Sequence, residues 1–467
     1  MPPPSFSLVP TPYKESSMTA TPTFTINRRQ ILKLAAVFGA TATLAACSGP
    51  SLGAGAGAAD APVTDWTGVI PAKEITWWSN HPGTSKLIEE EIIKRFQAEN
   101  PEITVNLVTA GANYDEIAQK FQAASGTNSV PDLVLASDVW WFRYMINGQI
   151  LPLDDLAKHL EFDTADFNTT LYDDYTFTGN HWAIPYARST PLFYYNKAVW
   201  AKAGLPDRAP KTWAEFDEWA PKIAADGGVM PLGLGKGASW AAWWFCNMLW
   251  GQGGAYSDEW TMTLDTPEAI AAADYLQSLI YDRKIATVAA VDQVADFGAG
   301  LTGCIMGSTG SLTGILKAAT FDVGTGFLPE GPKGQACPTG GTGVAIASDR
   351  TPEQQLAAGM FLKFLTNSEN TAYFSSNTGY MPVRTSARDG ETMTKVYAEF
   401  PQFRTAVDQL ETTRSQDWGR VFVPNGDKEL TTALEKIMLQ QAAPAEAFAV
   451  ASTAIATSFD ENVSAYL

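Results

Sequence analysis

Between Glu74 and Ala136 the hydrophobic period of the chain switches four times, which constrains the fold more than any other feature of the sequence. Glu74-Ile75-Thr76-Trp77-Trp78 reads as a strand. From Ser85 to Glu99 the apolar residues Leu87, Ile88, Ile92 and Phe96 recur at helical spacing and predict one buried face. Asn100-Pro101 stops that helix. Ile103 to Val108 alternates and is β-branched, Tyr114 to Ala124 is helical again, and Pro131 to Ala136 is a short apolar run of the kind buried in a parallel sheet. Strands alternating with helices imply an α/β sheet covered on both faces.

The rest of the chain continues in the same manner. His181 to Tyr186 and Leu192 to Tyr195 read as strands. Thr212 starts a helix, with Glu215 placed to complete a capping box. Residues 230–260 are rich in Gly and Trp and show no clear period. Pro267–Tyr281 and Pro352–Leu365 read as helices, and Ala295–Gly303 as a short helix feeding a strand at Cys304–Met306. Gly340–Ala347 reads as a further strand, Gly379–Arg384 as a turn, and the chain from Val396 onward as mostly helical.

Ahead of this unit, Asn27-Arg28-Arg29 precedes an apolar run from Ile31 to Ala46, followed by Cys47. The run is shorter than the roughly 18–25 apolar residues of a spanning helix. It resembles a twin-arginine export signal joined to a lipobox. That resemblance implies removal of residues 1–46, a lipid on Cys47, and a mature chain on the outer face of the cell membrane. Ser48 to Ala61 is mostly Gly, Ala and Ser, so 47–73 is expected to be a flexible tether. Met1 and Met18 both remain open as the start.

The chain carries a net charge of −18. Lys14, Arg28, Arg29 and Lys33 against Glu15 make the leader +3, which leaves −21 from Cys47 onward. Such acidity argues against nucleic acid or an anionic membrane face as partner, and an anionic ligand would need local positive potential. The four cysteines, 47, 246, 304 and 337, form no disulfide framework. Cys304 and Cys337 stand open between a pair and two buried thiols. His81, His159 and His181 have no metal-site spacing, so neither a metal nor a cofactor is expected. Gly233-Leu234-Gly235-Lys236-Gly237-Ala238 lacks the gap and the Lys-Ser/Thr ending of a phosphate loop and reads as a loop beside a cleft.

Over Ile75 to about Asn425 the chain resembles the extracellular solute-binding proteins of ABC importers. Phe96-Gln97-Ala98-Glu99-Asn100-Pro101, Tyr194-Tyr195-Asn196-Lys197 and Ala203-Gly204-Leu205-Pro206 are generic to the carbohydrate-type binders. Asn113-Tyr114-Asp115-Glu116, Arg188-Ser189-Thr190-Pro191, Ser308-Thr309-Gly310-Ser311-Leu312 and Gly379-Tyr380-Met381-Pro382 are similar to the sn-glycerol-3-phosphate and glycerophosphodiester branch. Cys337-Pro338-Thr339-Gly340-Gly341 and Asp138-Val139-Trp140-Trp141-Phe142 resemble its actinobacterial members, which favour glycerophosphocholine. The resemblance implies a two-lobed, type II periplasmic-binding-protein-like α/β fold with interleaved lobes and a ligand cleft at the hinge. Lobe 1 would be 74–187 plus 342–384, and lobe 2 would be 188–341 plus 385–467. A monomer that hands its ligand to the permease subunits is implied as well.

The same resemblance distributes the binding roles. Arg420, after Asp417-Trp418-Gly419, matches a phosphate-binding arginine, whose guanidinium can hold phosphate oxygens bidentately. Ser189, Ser308 and Gly341 match polar and backbone contacts to the ligand. Tyr114 and Tyr380 offer a hydroxyl and a ring each, and Asp138 matches an acceptor for glycerol hydroxyls. Trp240 and Trp243 match an aromatic wall that suits a choline cation or a sugar ring, with Trp244 as the alternative wall. Two competing readings are the same fold holding an oligosaccharide on Trp140, Trp240 and Trp243, and an exported glycosidase or phosphodiesterase. Arg420 argues against the first, since a neutral sugar needs no buried cation. The absence of a nucleophile elbow or metal cluster argues against the second, although paired carboxylates alone would suffice for a glycosidase.

Overall fold

The alternation that begins at Glu74 builds two five-stranded sheets. The computed structural model describes residues 65–80, 84–127, 129–225 and 227–467. The expected leader 1–46 and lipidation site Cys47 lie outside the described residues. Ten strands form the two sheets: β1 (Glu74–Ser79), β2 (Thr104–Thr109), β3 (Leu133–Ser137), β4 (Ile184–Ser189), β5 (Pro191–Asn196), β6 (Met230–Leu234), β7 (Ala286–Val288), β8 (Thr302–Ser308), β9 (Val323–Gly326) and β10 (Gly340–Ile346). The first sheet has the order β2-β1-β3-β10-β4, and the second β7-β6-β8-β5-β9. In each sheet the strands pair in parallel on one side and turn antiparallel on the other. β1 runs parallel to β2 and β3, whereas β10 runs antiparallel to both β3 and β4. β6 runs parallel to β7 and β8, whereas β5 runs antiparallel to β8 and β9. The chain leaves the first sheet for the second through one buried residue, Thr190, and returns between Gly326 and Gly340.

Helices cover both sheets. Helix α1 (Thr84–Glu99) turns Ile88, Ile92 and Phe96 inward as the periodicity predicts, but Leu87 is 67% exposed. Successive helical residues lie about 100° apart. The buried face therefore extends from the 88/92/96 column toward residues 89 and 93, away from Leu87. Ile93 is buried there, and so is Glu89, which accepts from Ser79 Oγ (3.0 Å) and Tyr186 Oη (3.4 Å). Helix α2 (Tyr114–Ala124) starts where Asn113 accepts from the Glu116 amide. Trp77 fills the centre of this side, its ring 5.8 Å from Tyr186 and 5.5 Å from Phe361.

On the other side, helix α3 (Trp213–Ala224) begins at Thr212, whose hydroxyl accepts from the Glu215 amide. The expected capping box is only half formed. The Glu215 carboxylate accepts from the Lys211 amide (2.6 Å) and binds Arg208 instead, because a guanidinium seven residues upstream is the stronger partner. Helix α4 (Ala241–Gly251) is buried at every position. It packs against helix α5 (Pro267–Tyr281) and, near the end of the chain, against helix 426–440. Helix α6 (Pro352–Leu365) carries the complete capping box, formed by Thr351 and Gln354, and packs on the first sheet.

Two expectations need correction or completion. Trp66 is 1% exposed and sits in the first core with its ring 5.9 Å from His159, and the Ala72 amide donates to Glu353. The stretch 47–73 is therefore bound to the body over its last residues, because an indole gains more from burial than from water. The described cysteines, Cys246, Cys304 and Cys337, are all free and buried, so Cys304 and Cys337 are not paired. Among the described residues no helix is long and apolar enough to cross a membrane.

Candidate ligand-binding site

The ends of the strands deliver the site. Asp138 follows β3, while Ser189 and Ser308 are the last residues of β4 and β8. β10 runs antiparallel to β3 and β4, so its first residues, including Gly341, lie at that same edge. Open α/β sheets bind ligands outside the carboxyl ends of their strands. Tyr114 opens α2, Tyr380 follows helix α7 (Ser368–Thr378), and Trp240 immediately precedes α4. Eight of the nine residues singled out in the sequence line one cavity of about 250 Å³: Tyr114, Asp138, Ser189, Trp240, Trp243, Ser308, Gly341 and Tyr380. Ala238, Ser239, Gly310 and Ser311 complete its wall.

The wall is held by local contacts. Gly379 takes φ +107° and swings Tyr380 across Gly310, where a Cβ would meet the tyrosine ring at 2.7 Å. That ring stacks on Phe374 at 5.6 Å, and its hydroxyl lies 3.5 Å from that of Tyr114. Trp243 is 4% exposed and donates from Nε1 to the Thr339 carbonyl at 2.8 Å. Trp240 leans on it with ring centroids 5.4 Å apart. Trp244 points away, donating to the Gly235 carbonyl within the second core, and does not line the cavity.

Gly341 has φ +91°, and a Cβ there would lie 2.2 Å from the Ala187 carbonyl. Gly341→Ala is expected to lower stability by at least roughly 1–3 kcal/mol through strain at this left-handed position. Urea denaturation measures that loss, and an unchanged midpoint would show that β4 yields.

Arg420 is not on the cavity wall. It lies behind Asp138, 1% exposed, and faces a second cavity of about 250 Å³ together with Asp115, Trp140 and Asp427. Its Nη2 is 2.7 Å from Asp427 and its Nη1 3.7 Å from Asp138, and it also donates to the Gln416 side chain. Gln416 in turn donates to Asp138. Burial draws the guanidinium down, but Asp427 and Asp138 outweigh burial and hold it above its ordinary range. Burial raises the Asp138 carboxyl, with Arg420 and Arg188 pulling it back. Arg188 is itself fully buried, bound to Asp174 and to the Tyr175 hydroxyl at 2.7 Å. Burial also raises Asp115, which accepts from Trp140 Nε1 at 2.6 Å. The buried Arg420 Nε has no acceptor among the described residues.

The 233–238 loop lies beside the cleft as its sequence suggests: Ala238 belongs to the cavity wall, and Gly235 and Lys236 border the space beside it. Gly310 and Ser311 lay inside a quoted motif but had been given no role.

Similarity to known proteins follows the same lines. The profile of bacterial extracellular solute-binding proteins matches residues 91–405. The chain belongs to this family. It is 27% identical over 353 residues to the sn-glycerol-3-phosphate-binding periplasmic protein UgpB of Escherichia coli K12, a match spanning 72% of this chain and 80% of that one. The crystal structure of UgpB from Mycobacterium tuberculosis in complex with glycerophosphocholine superposes with TM-score 0.80 and 44% identity, over 84% of this chain and all of that one. The GacH receptor of Streptomyces glaucescens, at 21% identity and TM-score 0.74, shares the fold. This extracellular solute-binding protein therefore has the two-lobed type II α/β fold, works outside the cytoplasm as the substrate-binding part of an ABC importer, and is not an enzyme.

Proposed function

We propose that this solute-binding protein captures glycerophosphodiesters, glycerophosphocholine among them, or sn-glycerol 3-phosphate, and delivers them to its permease. The observation that carries the reading is the cavity itself. It combines hydroxyls (Tyr114, Ser189, Ser308, Tyr380), a carboxylate for a glycerol diol (Asp138) and an aromatic wall (Trp240, Trp243) in about 250 Å³, with Arg420 directly behind Asp138. Tyrosine and serine hydroxyls serve both glycerol and phosphate oxygens, and the indoles suit a quaternary ammonium. Arg420 supplies positive potential to the cavity from behind Asp138. The mycobacterial relative holds glycerophosphocholine, and at 44% identity it supports the same ligand class here.

In this reading lobe 1 (74–187 plus 342–384) and lobe 2 (188–341 plus 385–467) are organised around the first and second sheets, the first sheet also taking in Arg188, Ser189, Gly340 and Gly341 at the edges of those bounds, and close over the ligand through crossings such as Thr190. The monomeric chain is exported by its twin arginines and held at the outer membrane face by a lipid on Cys47. Both points rest on the motif at Arg28, Arg29 and Cys47. Calorimetric titration with glycerophosphocholine, glycerol 3-phosphate and maltose tests the ligand class. A phosphate-bearing ligand is expected to bind and maltose is not. Binding of maltose alone would move the protein to the general carbohydrate binders.

A further inference from the structure

A larger space adjoins the ligand cavity. It measures about 580 Å³ and shares Trp240, Gly310 and Ser311 with the smaller one, so the Trp240 indole stands as a partition between an inner and an outer chamber. The outer chamber is bordered by Lys236 and Lys317, from the loop after β6 and the helix after β8. Neither ammonium is engaged in an ion pair or a hydrogen bond among the described residues. One carboxylate, Asp292, borders the chamber too. It is occupied in capping a helix by accepting from the Val294 amide at 2.8 Å. In a chain of net charge −18, two unneutralised lysines facing one cavity form a local reversal of sign.

A second observation points to a ligand independently. Gln293 lines this chamber and is 4% exposed. Its Nε2 donates to the Met306 carbonyl at 3.0 Å, but its buried Oε1 has no donor among the described residues. The Thr313 hydroxyl on the same wall is likewise without a partner. A buried amide oxygen without a donor is unfavourable, so it calls for a hydroxyl that a ligand would bring. The esterified choline of glycerophosphocholine has no free hydroxyl and no negative charge beyond the phosphodiester, and it satisfies neither feature.

We infer that the outer chamber is a subsite for an anionic polyol, a second glycerol phosphate unit joined to the one held in the inner chamber. The inner glycerol phosphate would sit among Tyr114, Asp138 and Tyr380. The chain of the ligand would pass Trp240, its next hydroxyl would donate to Gln293, and its next phosphate would meet Lys236 and Lys317. The inference rests on the glycerophosphodiester reading of the inner cavity and extends it to ligands carrying two phosphates.

The test compares glycerophosphoglycerol with the same compound phosphorylated on its second glycerol, titrated into the full chain and into the double variant Lys236→Gln/Lys317→Gln. The phosphorylated probe is expected to bind about tenfold more tightly at low salt. That advantage should shrink with added salt and vanish in the double variant, while glycerophosphoglycerol binds both proteins alike. Equal or weaker binding of the phosphorylated probe overturns the subsite. So does an equal loss of both probes in the double variant, which would make the lysines structural. If neither probe nor glycerophosphocholine binds, the reading of the inner cavity fails first and the subsite falls with it. Gln293→Leu provides a further check. It should weaken both glycerol-bearing probes severalfold and leave glycerophosphocholine, which has no hydroxyl to offer there, unchanged.

Discussion

Arg420→Ala is expected to destabilise the protein by about 3–5 kcal/mol, the cost of removing one member of a buried ionic cluster. The wild-type guanidinium stands between two carboxylates, 2.7 Å from Asp427 and 3.7 Å from Asp138, at 1% exposure. Without it both carboxylates remain in a region where burial already raises Asp138, and the other cation acting on Asp138, Arg188, is itself bound to Asp174. The sign with pH follows directly. In the variant the buried Asp138 carboxyl, already raised by burial, loses the Arg420 charge that pulls it back, so it is protonated more readily in the folded state than in the unfolded one. The deficit relative to wild type is therefore greatest at neutral pH and shrinks as pH falls through the raised value of Asp138. Urea denaturation at neutral and mildly acidic pH checks both parts. A loss below about 1 kcal/mol at neutral pH would mean that the cluster does not depend on Arg420 for its neutralisation. Asp427→Asn added to Arg420→Ala should recover part of the loss, because it removes one unpaired charge. Ligand affinity should fall in Arg420→Ala even where the protein is folded. Asp138 no longer has the Arg420 cation behind it to set its charge.

The environment of Arg420 also marks where the sequence ceases to be legible. The arginine itself stands in a short motif and can be found there. Its partners lie 7 residues downstream at Asp427 and far upstream at Asp138, and no local pattern joins them. The strands behaved otherwise. Period-2 and period-3.6 patterns follow from which side of a backbone faces the core, so β1, β2 and α1 can be read locally. The pattern fails when burial is two-sided. Helix α4 is apolar all round because protein surrounds it on every side, and it therefore shows no helical stripe. Glu89 fails in the opposite sense. A carboxylate reads as solvent-facing, and only the distant Tyr186 and the preceding strand's Ser79 make its burial tolerable. The turn at the cavity was legible for a physical reason: Gly379 sits at positive φ after its helix, and Tyr380 depends on it for its direction, whereas Gly341, at positive φ within β10, stood out only through its motif. Positions where only one residue type fits leave a mark in the sequence, whereas the pairing of buried charges does not.

Trp243→Ala should produce the second large effect, about 3–5 kcal/mol of stability together with loss of measurable ligand affinity. The indole does two things at once. It belongs to α4 on the second-sheet side, and its Nε1 donates to the Thr339 carbonyl in the segment that returns the chain to the first sheet. Its ring lies so close to that segment that a Cβ on Gly340 would meet it at 2.6 Å. Removing it opens a void beside Gly341 and leaves a buried carbonyl without a donor. Trp243→Phe separates the two contributions. It keeps most of the ring and loses the hydrogen bond, so it should cost about 1–3 kcal/mol, the range for an unsatisfied buried acceptor. Denaturation midpoints and calorimetric titration with glycerophosphocholine, run on both variants, read the difference. A Phe variant as damaged as the Ala variant would assign the effect to the Thr339 bond alone. A Phe variant indistinguishable from wild type would assign it to the ring. An intermediate Phe variant, with affinity reduced but retained, is the expected result. It would mean that one side chain shapes the ligand wall and at the same time fastens the returning segment that positions Gly341.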